Sequence, residues 1–153
     1  MHGKIKENYL RDAISEYSKR LSKYCNLNII EVADEKLPDK LSENLEISIK
    51  EKEGKLMITK LPKDTYLICL DLKGKELTSE EFSKKIENIS LNYNSSITFV
   101  IGGSLGISQE LLNMSKEKIC FSKMTFPHQL IRVFLLEQIF RAFKISNNET
   151  YHR

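Results

Sequence analysis

The sequence predicts an α/β domain: a parallel sheet with helices on both faces. Three observations lead there. Stretches of helical periodicity alternate with short apolar runs along the chain, the order expected when each helix carries the chain back to start another parallel strand. Two of the runs, TYLICLDL (65–72) and SITFVI (96–101), are almost continuously apolar, as strands covered on both faces must be. The length of 153 residues suits one core, and no repeat, low-complexity tract or linker divides it, so residues 1–153 are read as one domain.

The elements follow in order. Tyr9, Leu10, Ala13, Ile14, Tyr17, Leu21 and Tyr24 recur at helical spacing, so residues 5–24 are expected to form an amphipathic helix. LNIIEVA (27–33) is expected to be a strand. Residues 39 to about 61 read as a polar helix with a break possible at Gly54, and its Lys50–Lys55 charge run as a solvated face. After the strand at 65–72, Gly74 is expected to turn the chain. Thr78 and Glu81 have the spacing of a capping box, opening a helix that runs to Asn92. The strand at 96–101 follows. Ser108 caps a short helix through Met114, KICFS (118–122) is the last strand, and Pro127 suits the first position of the final helix.

Composition sets limits. Apolar residues make up 41% and charged residues 29% of the chain, an ordinary globular balance. No run is long enough to span a bilayer and no signal peptide is seen, so a cytoplasmic protein is expected. Cys25, Cys69 and Cys120 are scattered and odd in number, which argues against both a disulfide framework and a zinc site. Residues 121–153 carry five cations against Glu137 and Glu149, the whole of the net charge of +3. That local bias suits a phosphate-bearing partner.

Chemistry concentrates in the last third. Gly102-Gly103-Ser104-Leu105-Gly106 follows a strand and precedes a helix. Either these glycines admit a ligand to the main chain, or they form a tight turn that needs positive φ. The spacing is neither a dinucleotide fingerprint nor a P-loop. Phe121 to Pro127 is a second strand-to-helix loop. In a parallel sheet such loops gather at the strands' carboxyl ends, so Leu70, Gly102 and Phe121 could border one pocket, apolar and polar only through backbone. An adenosine-bearing ligand suits that better than a metal or a triphosphate.

The final helix is apolar nearly all round, as a buried or partner-covered helix is. Arg132 shares a side with Leu136, Ile139 and Phe143, and His128 lies one turn before it. The pair is either a salt-bridged arginine with a capping histidine or a substrate-facing couple. Tyr151-His152-Arg153 is either a free tail or a segment folded over the pocket to supply a base or phosphate contacts.

These residues resemble the RlmH family, SPOUT-class methyltransferases that N3-methylate a pseudouridine of large-subunit (23S) ribosomal RNA. The matching pieces are GKIKENYLRDAISEYSKRL, LDLKGKELTSEEF, FVIGGSLG, FSKMTFPHQLIRVFLLEQIFRAFKI and a Tyr-His-basic end. They run from Gly3 to Arg153, and the third and fourth are the most specific. The resemblance implies a carboxyl-terminal trefoil knot, which physical rules alone would reject. It also implies a homodimer acting on the assembled ribosome, with no membrane and no metal. By resemblance, S-adenosylmethionine binds at Leu70, Gly102 and Phe121-Ser122-Lys123-Met124-Thr125-Phe126, with Gly103 and Gly106 shaping the wall. His152 is the expected base, beside Tyr151, with Arg132, His128 or Arg153 as electrostatic contacts. Two departures stand out. Met1-His2 replace the family's opening strand, so the chain reads as short at its amino end. The family's Gly-Glu-Pro/Ala-Tyr-His ending is here Asn148-Glu149-Thr150-Tyr151-His152. Two other functions remain open: a ribosome- or RNA-binding module without catalysis, and a regulatory dimer that binds an adenine nucleotide.

Overall fold

The computed structural model describes residues 7–151. Met1-His2, read as replacing the family's opening strand, and His152 and Arg153 lie outside the described residues. Helix α1 (Asn8–Leu21) leads through an irregular segment to α2 (Glu43–Thr59), then β1 (Tyr66–Glu76), α3 (Ser79–Asn92), β2 (Ile97–Ile101), α4 (Gln109–Met114), β3 (Glu117–Cys120) and α5 (His128–Ser146). The three strands form one parallel sheet in the order β2-β1-β3.

Alternation along the strands builds two cores. On one face, Ile68, Ile101 and Ile119 pack with Leu21 of α1, Phe82, Ile86 and Ile89 of α3, and Leu135, Leu136 and Phe140 of α5. On the other, Leu67, Cys69 and Val100 pack with Met57 of α2 and Leu111 of α4. Helices thus cover both faces, as the sequence predicts. α5 is the central helix of the first face, wrapped by α1 and α3, which explains much of its all-round apolar surface. No described helix is long and apolar enough to cross a membrane.

Local signals set several boundaries. The Thr78 hydroxyl accepts the N–H of Glu81, whose carboxylate in turn accepts the N–H of Thr78 at 2.7 Å, a complete capping box. Ser42 and Ser108 cap α2 and α4 by accepting the N–H of Leu45 and Leu111. Pro127 is the N-cap of α5 rather than its first residue.

Four expectations are corrected. Residues 27–33 form no strand; among the described residues this stretch contains one bridge position, Val32. A strand needs a neighbour along its whole length for its N–H and C=O groups, and among the described residues no strand lies beside this stretch. Leu27 and Ile29 still pack on the first core, while Val32 is buried in the second. Gly74 does not turn the chain. β1 continues to Glu76, and the register against β3 slips between Leu70 and Lys75. A Cβ on Gly74 would stand 2.7 Å from backbone atoms of Lys118 and Ile119, so close strand approach selects glycine here. α2 is unbroken at Gly54, where a Cβ would lie 2.6 Å from the Cβ of Ser108. The charge run at 50–55 is not wholly solvated either, because Glu53 is buried and accepts the N–H of Glu35 at 3.1 Å.

Candidate functional site at the carboxyl ends of the strands

The three strands end side by side. Leu70 pairs with Ile101 on one flank and with Ile119 on the other. Gly102 therefore follows on one side of Leu70 and Phe121 on the other, about 10 Å apart across the middle strand, since parallel neighbours are spaced by about 4.8 Å. This brings Leu70, Gly102 and Phe121 together as the sequence expects.

The tight-turn reading of the glycine loop holds at Gly106. Gly106 has φ +87° with open space around it, and its N–H donates to the carbonyl of Gly103 at 3.0 Å, closing a tight turn. Gly102 is selected by crowding instead. A Cβ there would lie 2.6 and 2.7 Å from the carbonyl carbon and oxygen of Gly106, and 2.9 Å from Cγ1 of Ile107. The turn is folded back against the end of β2.

The 121–126 loop is held by its own polar groups. The Cys120 thiol donates to the Ser122 carbonyl, and the Ser122 hydroxyl accepts the Met124 N–H at 3.1 Å. Lys123, Met124 and Thr125 are exposed, Met124 to 72%. Phe121 and Phe126 turn inward, meeting Phe82 and Phe134 edge to face at 6.4 and 5.5 Å. These four rings line a cavity of about 320 Å³. Leu70 and Gly102 lie beside this cavity on the neighbouring strand ends and do not line it.

One wall of the cavity is polar in a way the sequence reading missed. Ser79 donates to Gln138, Gln138 to Glu137, and Arg141 to Glu137 at 2.6 Å. That hydrogen bond to Glu137 holds the Arg141 pKa above its ordinary value. A carboxylate in an otherwise apolar helix was the available signal; its partner Ser79 comes from another element and leaves no trace in local sequence.

The end of the chain is docked. The Tyr151 ring packs edge to face on Phe140 at 5.0 Å, lies under the Arg141 guanidinium at 4.8 Å, and its hydroxyl donates to Glu137 at 3.4 Å. Burial, then the charge of Glu137, raises its pKa. Because Glu137 also lines the cavity, Tyr151 stands one side chain away from it.

Arg132 is fully enclosed and faces Glu31 at 3.8 Å. Burial lowers its pKa, while Glu31 and Asp34 act in the opposite sense. Within the chain its guanidinium thus meets Glu31, the salt-bridged alternative, and holds the irregular 27–34 segment against α5. His128 is half-buried at the start of that helix. Burial pushes the Cys69 thiol up to about 11, which makes it a poor nucleophile. Among the described residues no group of three His, Cys, Asp or Glu side chains is placed to hold a metal ion.

Known proteins resemble the chain over nearly its whole length. The family model described as "Predicted SPOUT methyltransferase" matches residues 1–152. Proteins named ribosomal RNA large subunit methyltransferase H from Clostridium perfringens (strain 13 / Type A) and Clostridium botulinum (strain Hall) are each 62% identical over 151 residues, covering 99% of this chain and 95% of the relative. A protein of the same name from Clostridium botulinum (strain Eklund 17B) is 58% identical over the same shares.

Proposed function

The chain belongs to the SPOUT methyltransferase family, and from that premise we propose that it transfers a methyl group from S-adenosylmethionine to N3 of a pseudouridine in large-subunit ribosomal RNA of the assembled ribosome. The observation that carries this is the alignment of Leu70, Gly102 and Phe121 at one end of the sheet, in a chain 62% identical to relatives named for methylating that RNA. The same proposal includes a homodimer and a carboxyl-terminal trefoil knot. Exposed Met124 and Phe134 beside the loop support the first. The second is supported by the strand order, in which β3 lies across β1 from β2 before the chain returns to pack α5 on α3.

The residues fit the cofactor. Backbone at Leu70 and Gly102, where any side chain would collide with Gly106, offers polar main-chain groups. The aromatic cavity beside them suits flat or apolar parts of a ligand. When bound, S-adenosylmethionine supplies an electrophilic methyl group on sulfur. The chain's own task is to hold the ring nitrogen in line with that methyl group and to accept the N3 proton. His152, directly after the docked Tyr151, is the proposed acceptor. Arg153 and the basic last third favour the RNA phosphates.

The test is transfer of labelled methyl to assembled ribosomes, to separated subunits and to naked ribosomal RNA, with nucleoside mass spectrometry of the product. The reading requires methylated pseudouridine from ribosomes. RNA binding without cofactor binding would identify a non-catalytic module, and cofactor binding without transfer would identify a regulatory dimer.

A further inference from the structure

Between α5 and Tyr151 the chain reverses, and a polar clamp holds the reversal. Asn148 takes φ +53°, and the Glu149 N–H donates to the Lys144 carbonyl at 2.9 Å. The Glu149 carboxylate is then gripped from two elements. The Tyr24 hydroxyl, in the turn after α1, lies 2.9 and 3.0 Å from its two oxygens, and the Lys144 ammonium lies at 2.6 Å. Tyr24 is itself fixed, stacked on Phe143 at 5.4 Å and meeting Phe140 edge to face at 6.0 Å. Two residues on, Tyr151 docks on Phe140 and Glu137, and Glu137 lines the aromatic cavity.

Stability does not account for this arrangement. Glu149 is 39% exposed in its pair with Lys144, and exposed ion pairs contribute little to folding. The clamp's geometric effect is specific, however. It sets the direction in which the chain leaves α5 and so the place of Tyr151. We propose that Tyr24, Lys144 and Glu149 are positioning residues for methyl transfer: they hold Tyr151 against Glu137 at the polar wall of the cavity. The proposal rests on the methyltransferase reading above.

The variants separate positioning from support. Tyr24→Phe removes the hydroxyl and keeps the ring stack. Lys144→Ala removes the ion pair, and Lys144→Arg restores a cation. With ribosomes as substrate, Tyr24→Phe and Lys144→Ala each lower kcat about tenfold, because small misplacements of reacting groups carry large rate penalties. Cofactor affinity and Tm stay near wild type, and Lys144→Arg recovers most of the rate. A kcat within twofold of wild type in both variants overturns the proposal, as does a loss that tracks a falling Tm or weakened cofactor binding. If the wild-type protein itself transfers no methyl, the methyltransferase reading fails, and hydrogen exchange then judges the clamp alone. Amides after Asn148 that are protected in the wild type and released in Tyr24→Phe uphold it as the device that holds the tail. Equal exchange in the two proteins overturns it.

Discussion

Replacing Gly102 by alanine should damage this protein far more than the size of a methyl group suggests. The added Cβ would lie 2.6 and 2.7 Å from the Gly106 carbonyl carbon and oxygen, and 2.9 Å from Cγ1 of Ile107. Carbon atoms in contact prefer about 3.5–4.0 Å, so the overlap is about 1 Å. Two of the three opposing atoms are backbone, which has no rotamer to escape into. Overpacking of this kind costs about 1–3 kcal/mol, and the rigid opponents place Gly102→Ala at the upper end. For a domain of this length each kcal/mol moves Tm by about 2–4 °C, so a fall of about 6–12 °C is expected. Relief requires the 103–106 turn to lift off the end of β2, which should also weaken S-adenosylmethionine binding at least tenfold. Gly106→Ala is the internal comparison. That position has open space but φ +87°, so only left-handed backbone strain of about 1–2 kcal/mol applies, with cofactor affinity largely retained. Differential scanning calorimetry and isothermal titration of each variant measure both quantities. A Gly102→Ala protein with wild-type Tm and affinity, or a Gly106→Ala protein damaged more than it, would refute the crowding account.

Arg132→Ala should cost about 2–5 kcal/mol in chemical denaturation, since it empties a fully enclosed site while the exposed Glu31 is left to solvent; Arg132→Met, similar in volume and uncharged, should lose much less. Gly54→Ala should destabilise the fold although alanine is the better helix former, because its Cβ would collide with the Ser108 hydroxyl and lie 2.6 Å from the Ser108 Cβ; a stabilised variant in a thermal melt would contradict that packing. The tail clamp should be pH-dependent in a defined direction. The hydrogen bond from Lys144, then that from Tyr24, lowers the Glu149 pKa below 4.5. Its contribution is therefore full above that value and disappears as pH falls through the lowered one. The bond to Glu149 raises the Lys144 pKa above 10.5, so that contribution is full below 10.5 and is lost as pH rises through the raised value. Hydrogen exchange of the amides after Asn148, followed from neutral to acidic pH at low salt, should show protection fading in acid, and Lys144→Ala should flatten the dependence.

What lies within a few residues was legible without the structure. The Thr78–Glu81 box, the cap at Ser108, and the two apolar runs that became β1 and β2 are interactions between sequence neighbours or patterns of burial. The last third could be marked as the seat of chemistry because its glycines and its strand-to-helix loop are local features as well. Tertiary structure decided everything that depends on what comes alongside. LNIIEVA has strand composition, yet strand formation requires a partner and the segment has one bridge position. Gly54, Gly74 and Gly102 look alike in sequence and are each selected by a different distant neighbour: Ser108, the β3 backbone and the Gly106 turn. Arg132 could face a ligand or a counter-ion, and the fold brings Glu31 to within 3.8 Å of it. Tyr24 and Glu149 are 125 residues apart and meet at 2.9 Å. Propensity, capping and periodicity act over a turn or two of chain, whereas close packing and ion pairing depend on atoms that the fold alone brings within a few ångströms.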